Sequence, residues 1–170
     1  MMQTPSTTWP PTNRDWRAMI DAYGRLLGWT LIVRDRLTSP ERALAMLDEG
    51  PASPLLTTCS AFDAVIVAAQ LGRDALVQVD RIVDLATVPS IVQEDGSVVF
   101  LVRPGTAGVL SSLTGVRVAS GSGDRITLPP ACGSRWDTWP WSIAAAEPVP
   151  LLQGSVLSGA LKRAMPISAT

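Results

Sequence analysis

Residues 90–102 read SIVQEDGSVVFLV, two apolar runs joined through Asp95-Gly96. An Asp-Gly pair accepts the left-handed backbone of a tight reversal, so the stretch predicts two antiparallel strands. The chain must therefore build around a sheet. Residues 116–128, VRVASGSGDRITL, repeat the pattern with a longer turn and predict a second hairpin. Strand alternation would send Val116, Val118, Ile126 and Leu128 inward and leave Arg117 and Arg125 outward on the other face.

Helical periods are interleaved with these strands. Trp16, Met19, Ile20, Tyr23, Leu26 and Leu27 share one face of a predicted helix of about four turns, with Gly28 as its stop. WTLIV at 29–33 reads as a buried strand, and Arg34, Asp35 and Arg36 as a charged turn. Ser39 as cap, Pro40 in the first turn and Gly50 beyond the end frame a second helix. A Pro, Ser and Thr loop follows, then a strand through Val67 and a helix carrying Leu71, Ala75, Leu76, Val79 and Ile82 on one side. The Trp-rich segment RWDTWPWS reads as a loop, and Val156, Leu157, Ala160 and Leu161 mark a last helix near 151–165. Helices interleaved with hairpins predict an α+β class, a mixed or mostly antiparallel sheet with packed helices.

At 170 residues, 46% apolar and 17% charged, the chain suits one globular domain over 13–170 behind a flexible leader at 1–12. Apolar runs such as AVIVAA fall far short of the roughly 20 residues that span a bilayer. No membrane partner is expected, and the start lacks a secretory pattern, so the cytoplasm is the expected compartment.

The chain contains no histidine. That excludes Ser-His-Asp or Cys-His nucleophile chemistry and imidazole metal ligation. Cys59 and Cys132 are expected to be packing thiols. Asp63 stands on its strand with no second carboxylate beside it, whereas a two-metal site needs paired acids; it reads as an exposed structural residue. No catalytic residue, metal or cofactor is expected. Arginine supplies 13 of the 14 cations, each a planar fork suited to phosphate, yet the net charge is −1, so anion binding must be local.

Two such local features stand out. The turn Ser120, Gly121, Ser122 and Gly123, flanked by Arg117 and Arg125, could grip a phosphate through backbone amides, or form a flexible turn beside a solvated arginine face. It precedes a strand and lacks a GK[ST] ending, so it is neither a Walker loop nor a dinucleotide fingerprint. Arg103 adds a cation at a strand end. Trp136, Trp139 and Trp141 could stack bases, fill a satellite core or contact a partner.

In order along residues 15–142, LLGWTLIV, FDAVIVAAQLGRDAL, GSVVFLVRPGT and GSGDRITLPPACGSRW resemble the N-terminal domain of bifunctional DNA primase/polymerases, a branch of the archaeo-eukaryotic primase superfamily. The resemblance implies a primase/polymerase-like fold that handles DNA or nucleotide. It does not carry the family's activity. The metal-binding Asp-x-Asp is replaced by Val67-Ala68-Ala69, the third acid by Val116-Arg117-Val118, and the nucleotide-binding histidine is absent. Two functions are therefore expected. One is an inactive primase-like domain binding nucleic acid or nucleotide phosphate through Arg103, Arg117, Arg125 and residues 120–123. The other is a protein adaptor, or a self-associating domain, that docks through its three tryptophans.

Overall fold

The computed structural model describes residues 11–49, 54–82 and 88–166; most of the leader and the Gly50 stop lie outside them. Helix α1 (Trp16–Asp21) starts where the Asp15 carboxylate accepts the Ala18 amide at 3.1 Å, an N-cap that satisfies one orphan donor. The predicted four-turn helix widens into a π-helical segment at Ala22–Leu26, with the Leu27 amide reaching back to Ala22. Gly24 lies there because a side chain would run into Pro40, at the start of the next helix.

Strands β1 (Leu31–Val33) and β2 (Arg36–Thr38) form a hairpin in which Val33 pairs with Arg36. Both turn residues are left-handed, Arg34 at φ 51° and Asp35 at φ 60°. This slot favours Asn-Gly; side chains with a Cβ cost about 1–2 kcal/mol each there. Helix α2 (Pro40–Glu49) begins as expected, with Ser39 Oγ accepting the Arg42 amide at 3.2 Å.

Strand β3 (Leu55–Val67) is longer than its sequence predicts and absorbs much of the expected polar loop. Helix α3 (Ala69–Ile82) follows it. Strands β4 (Ser90–Val92) and β5 (Val98–Val102) form the expected hairpin, with Gly96 at φ 84° in its connection. The second predicted hairpin does not form. Residues Val116–Thr127 are one strand, β6, and both of its halves pair with β3. Residues 116–119 and 125–127, on either side of the glycines, each find partners on β3, so the glycines let the strand bulge instead of reverse. Strand β7 (Arg135–Thr138) pairs with β4, a small pair of β8 (Trp141–Ser142) and β9 (Glu147–Pro148) stands apart, and α4 (Gly154–Ala164) closes the described fold.

The main sheet runs β2-β1-β3-β5-β4-β7, with β6 added on β3, and all these pairs are antiparallel. The fold class is α+β. Strand β5 is buried on both faces. Val98, Phe100 and Val102 join α3 and α4 in one core, whereas Val99 and Leu101 join α1, α2 and the tryptophans in the other.

The bulge sorts side chains between those cores. Thr58 pairs with Arg125, Cys59 with Gly121 and Ala64 with Ala119, leaving residues 60–63 on β3 and 120 and 122–124 on β6 outside the ladder. Alternation changes phase across the gap. Leu55 and Cys59 face the tryptophan core, but Val65 and Val67 face the α3–α4 core. On β6, Ile126 faces the first and Val116 and Val118 the second, so the expected common inward face of Val116, Val118 and Ile126 is split.

Candidate functional site

A cavity of about 570 Å³ lies against the sheet beside the bulge. Ile66, Val99 and Ile126 give it an apolar lining, and Arg117 and Arg125 both contribute to its wall. The register explains Arg117: it pairs with Ile66, which pairs on its other side with Val99, so the three form a row across β6, β3 and β5. Gln93, Glu94, Asp95 and Ser97, from the β4–β5 connection, also line it.

That connection is fixed by its own bonds. Asp95 accepts from the Ser97 amide at 2.9 Å and hydroxyl at 2.6 Å, which holds its carboxyl below the usual carboxylate range. The stem of Glu94 packs on Gly133, which has φ 69°, and a Cβ at Gly133 would approach the Glu94 side chain at 3.2 Å. The cavity thus combines guanidinium and carboxylate groups over an apolar surface, the mixed lining that small-molecule sites use.

The expected phosphate grip is divided by the fold. Arg117 and Arg125 come together, but Ser120, Gly121, Ser122 and Gly123 are exposed and do not line the cavity. The Ser120 amide already donates to Asp124 Oδ2 at 2.9 Å, so any anion there would compete with an internal carboxylate. Arg103 lies past the far end of β5, four residues from Val99 and so about 13 Å along the strand. Its backbone amide donates to Leu152 at 2.7 Å. Arg125 also reaches Asp35 at 3.2 Å, but that carboxylate is 90% exposed, so the pair restrains little.

The tryptophans are placed differently from a docking surface. Trp136 and Trp141 are each 2% exposed, and Trp139 stacks on Trp141 with ring centroids 5.3 Å apart. The Trp136 indole donates to Tyr23 Oη at 2.7 Å, and Tyr23 donates in turn to the Pro129 carbonyl at 2.8 Å. Burial drives the Tyr23 phenol far above its ordinary pKa. Asn13 bonds both backbone groups of Trp136, at 2.9 and 3.0 Å, as a neighbouring strand would. Aromatic mass near α1 is what these residues supply; two of the three rings have no free face for a partner.

Two smaller expectations are corrected. Asp63 is buried, 3% exposed, and accepts the Ala107 amide at 2.9 Å, which anchors the 3₁₀ turn Ala107–Leu110. Replacing it with alanine should lower unfolding free energy by about 1.5–3 kcal/mol, read as a lower urea midpoint, because a charged acceptor is lost and a buried amide orphaned. Asp63→Asn keeps an acceptor and should lose less. Cys59 is a packing thiol whose pKa burial pushes up to about 11, helped by Asp124 and Asp63, but Cys132 is exposed and lines the cavity at φ 53°.

Gln93, Glu94, Ser97 and Thr127 carry no site signal in the sequence, and Cys132 reads there only as a packing thiol. Asp95 was read only as a turn residue. Their meeting depends on the β4–β5–β3–β6 register, for which no local signal exists. Among the described residues, no three acidic or cysteine side chains gather in a way that could hold a metal, and none of their helices is long and apolar enough to cross a membrane. No protein-family model, curated protein or solved structure matches the chain.

Proposed function

We propose that this chain is a primase/polymerase-like domain without the family's metal ligands, and that it binds a nucleotide by its phosphate in the cavity beside β6. The observation that carries this reading is the pairing of Arg117 and Arg125 on one cavity of about 570 Å³. That volume lies within the range of roughly 300–1,000 Å³ for small-ligand sites and is too small for a duplex. Guanidinium forks suit phosphate oxygens, while Gln93 and Glu94 offer acceptors to the hydroxyls and amino groups of a sugar and base. The order of elements supports the resemblance: a strand then a Gly-bearing helix (β3, α3), a buried strand (β5) and a glycine-rich strand ending at Pro129-Pro130.

Val67, Ala68, Ala69 and Arg117 stand at the family's metal positions and offer no carboxylate oxygen. Binding without turnover is the function that this residue set supports. An adaptor role through residues 136–141 would need Trp136 and Trp141 to leave the core.

Nucleoside triphosphate binding, followed by calorimetry across salt, tests the reading. Arg117→Glu and Arg125→Glu should each weaken binding about 10–100-fold, since each removes a charge-assisted contact and adds repulsion. Unchanged affinity in the double variant would remove this cavity as the site.

A further inference from the structure

A second cavity, of about 370 Å³, lies between the β1–β2 hairpin and α2, and Arg34, Arg36 and Arg42 all line it. Glu49 is the one carboxylate among its lining residues, and Thr38 adds a hydroxyl. Three guanidinium groups against one acid make a local positive field in a chain whose net charge is −1.

Further observations bear on this cluster. Arg17, Arg25 and Arg125 are each paired with an acid, whereas Arg36 and Arg42 have no ion pair among the described residues. Arg42 also lies in the first turn of α2, beside Glu41, whose carboxylate is already taken by Arg25. The hairpin turn, moreover, holds Arg34 and Asp35 in left-handed backbone where Asn-Gly would be relaxed. Strain of this kind, kept beside a charge cluster, fits a turn shaped to present its side chains.

We infer that Arg34, Arg36 and Arg42 form a binding site for a compact polyphosphate group, of the pyrophosphate or triphosphate class, distinct from the nucleotide cavity. The cavity is small and three arginines line it, so a dense polyanion matches it better than an extended ligand does. The site is also open to solvent, because all three arginines are exposed. Arg36 and Arg42 come from a strand and a helix, whose backbone geometry fixes their spacing before a ligand arrives.

The probe is inorganic pyrophosphate, titrated calorimetrically into the full chain carrying Arg117→Gln. That change weakens the first cavity while leaving Arg125 in place on Asp35. A saturable event is expected, at least about tenfold tighter than that of orthophosphate, since a second phosphate engages the remaining forks. Adding Arg36→Gln and Arg42→Gln should weaken it by at least about tenfold, with Arg42→Lys intermediate because it keeps charge but loses the fork. Circular dichroism on each variant confirms that these exposed changes leave the fold intact. No saturable event, equal affinity for the two anions, or an event untouched by Arg36→Gln/Arg42→Gln would overturn the inference. Nucleotide binding that persists in Arg36→Gln/Arg42→Gln protein bears only on the first cavity, so the two sites fail separately.

Discussion

Trp136→Ala should destabilise the fold by about 3–5 kcal/mol, the cost of deleting a large buried aromatic whose surroundings cannot collapse into the space. The neighbours explain the size. Tyr23, Trp29, Trp139 and Trp141 all have ring centroids within 6.4 Å of Trp136. Removing the indole also takes from Tyr23 Oη the donor that reaches it at 2.7 Å. A urea titration should show the midpoint falling with little change in slope, since the same surface is exposed on unfolding. Trp139→Ala, at a partly buried ring, should lose distinctly less. Equal effects would mean that the cluster packs as a loose surface patch and not as core.

Gly154→Ala should also be strongly destabilising, by about 1–3 kcal/mol or more. The sign is informative. Alanine is a better helix former than glycine by about 1 kcal/mol, so propensity alone predicts the reverse at the first residue of α4. A Cβ there would fall inside contact with the Thr106 carbonyl oxygen and within 3.0 Å of Ala107 Cα. Neither can retreat easily. The Ala107 amide is held by the buried Asp63 carboxylate, and Thr106 Oγ1 accepts the Gly154 amide at 2.8 Å. Gly159→Ala, in the same helix with nothing within 4 Å, should instead stabilise by about 0.5–1 kcal/mol. Thermal melts of the two variants should therefore move in opposite directions. Faster tryptic cleavage at Lys162 and Arg163 in Gly154→Ala alone would locate the damage at the seat of α4.

The contrast between those glycines shows where sequence reading succeeds and stops. Helix α2 was legible because Ser39 and Pro40 act on their own neighbours, and the β4–β5 hairpin because Asp95-Gly96 acts locally. The α+β class followed from such pieces. Strand β6 was misread because a Gly-Ser-Gly stretch permits either a reversal or a bulge, and the choice is made by β3, some sixty residues earlier. The tryptophans stay open in sequence between core and partner contact for a similar reason: Trp136 is held by Tyr23 and Asn13, partners more than 110 positions away. Of the candidate site, Arg117 and Arg125 were legible as outward cations, whereas Gln93, Glu94 and Cys132 meet them only through the finished sheet.

The bulged ribbon of β3 and β6 has a consequence for how the protein is made. Cys59 and Gly121 meet across β4 and β5, so closing this ladder carries a large loop-entropy cost, and such non-local pairing slows folding. The layer of α1 and α2 needs residues that come later still, since Trp136 and Trp141 cover Tyr23. On a translating ribosome, the apolar side of α1 is therefore complete long before its cover has been synthesised. Nascent chains arrested before residue 136 should hold Tyr23 without its indole cover, an interval in which apolar surface stays exposed to aggregation.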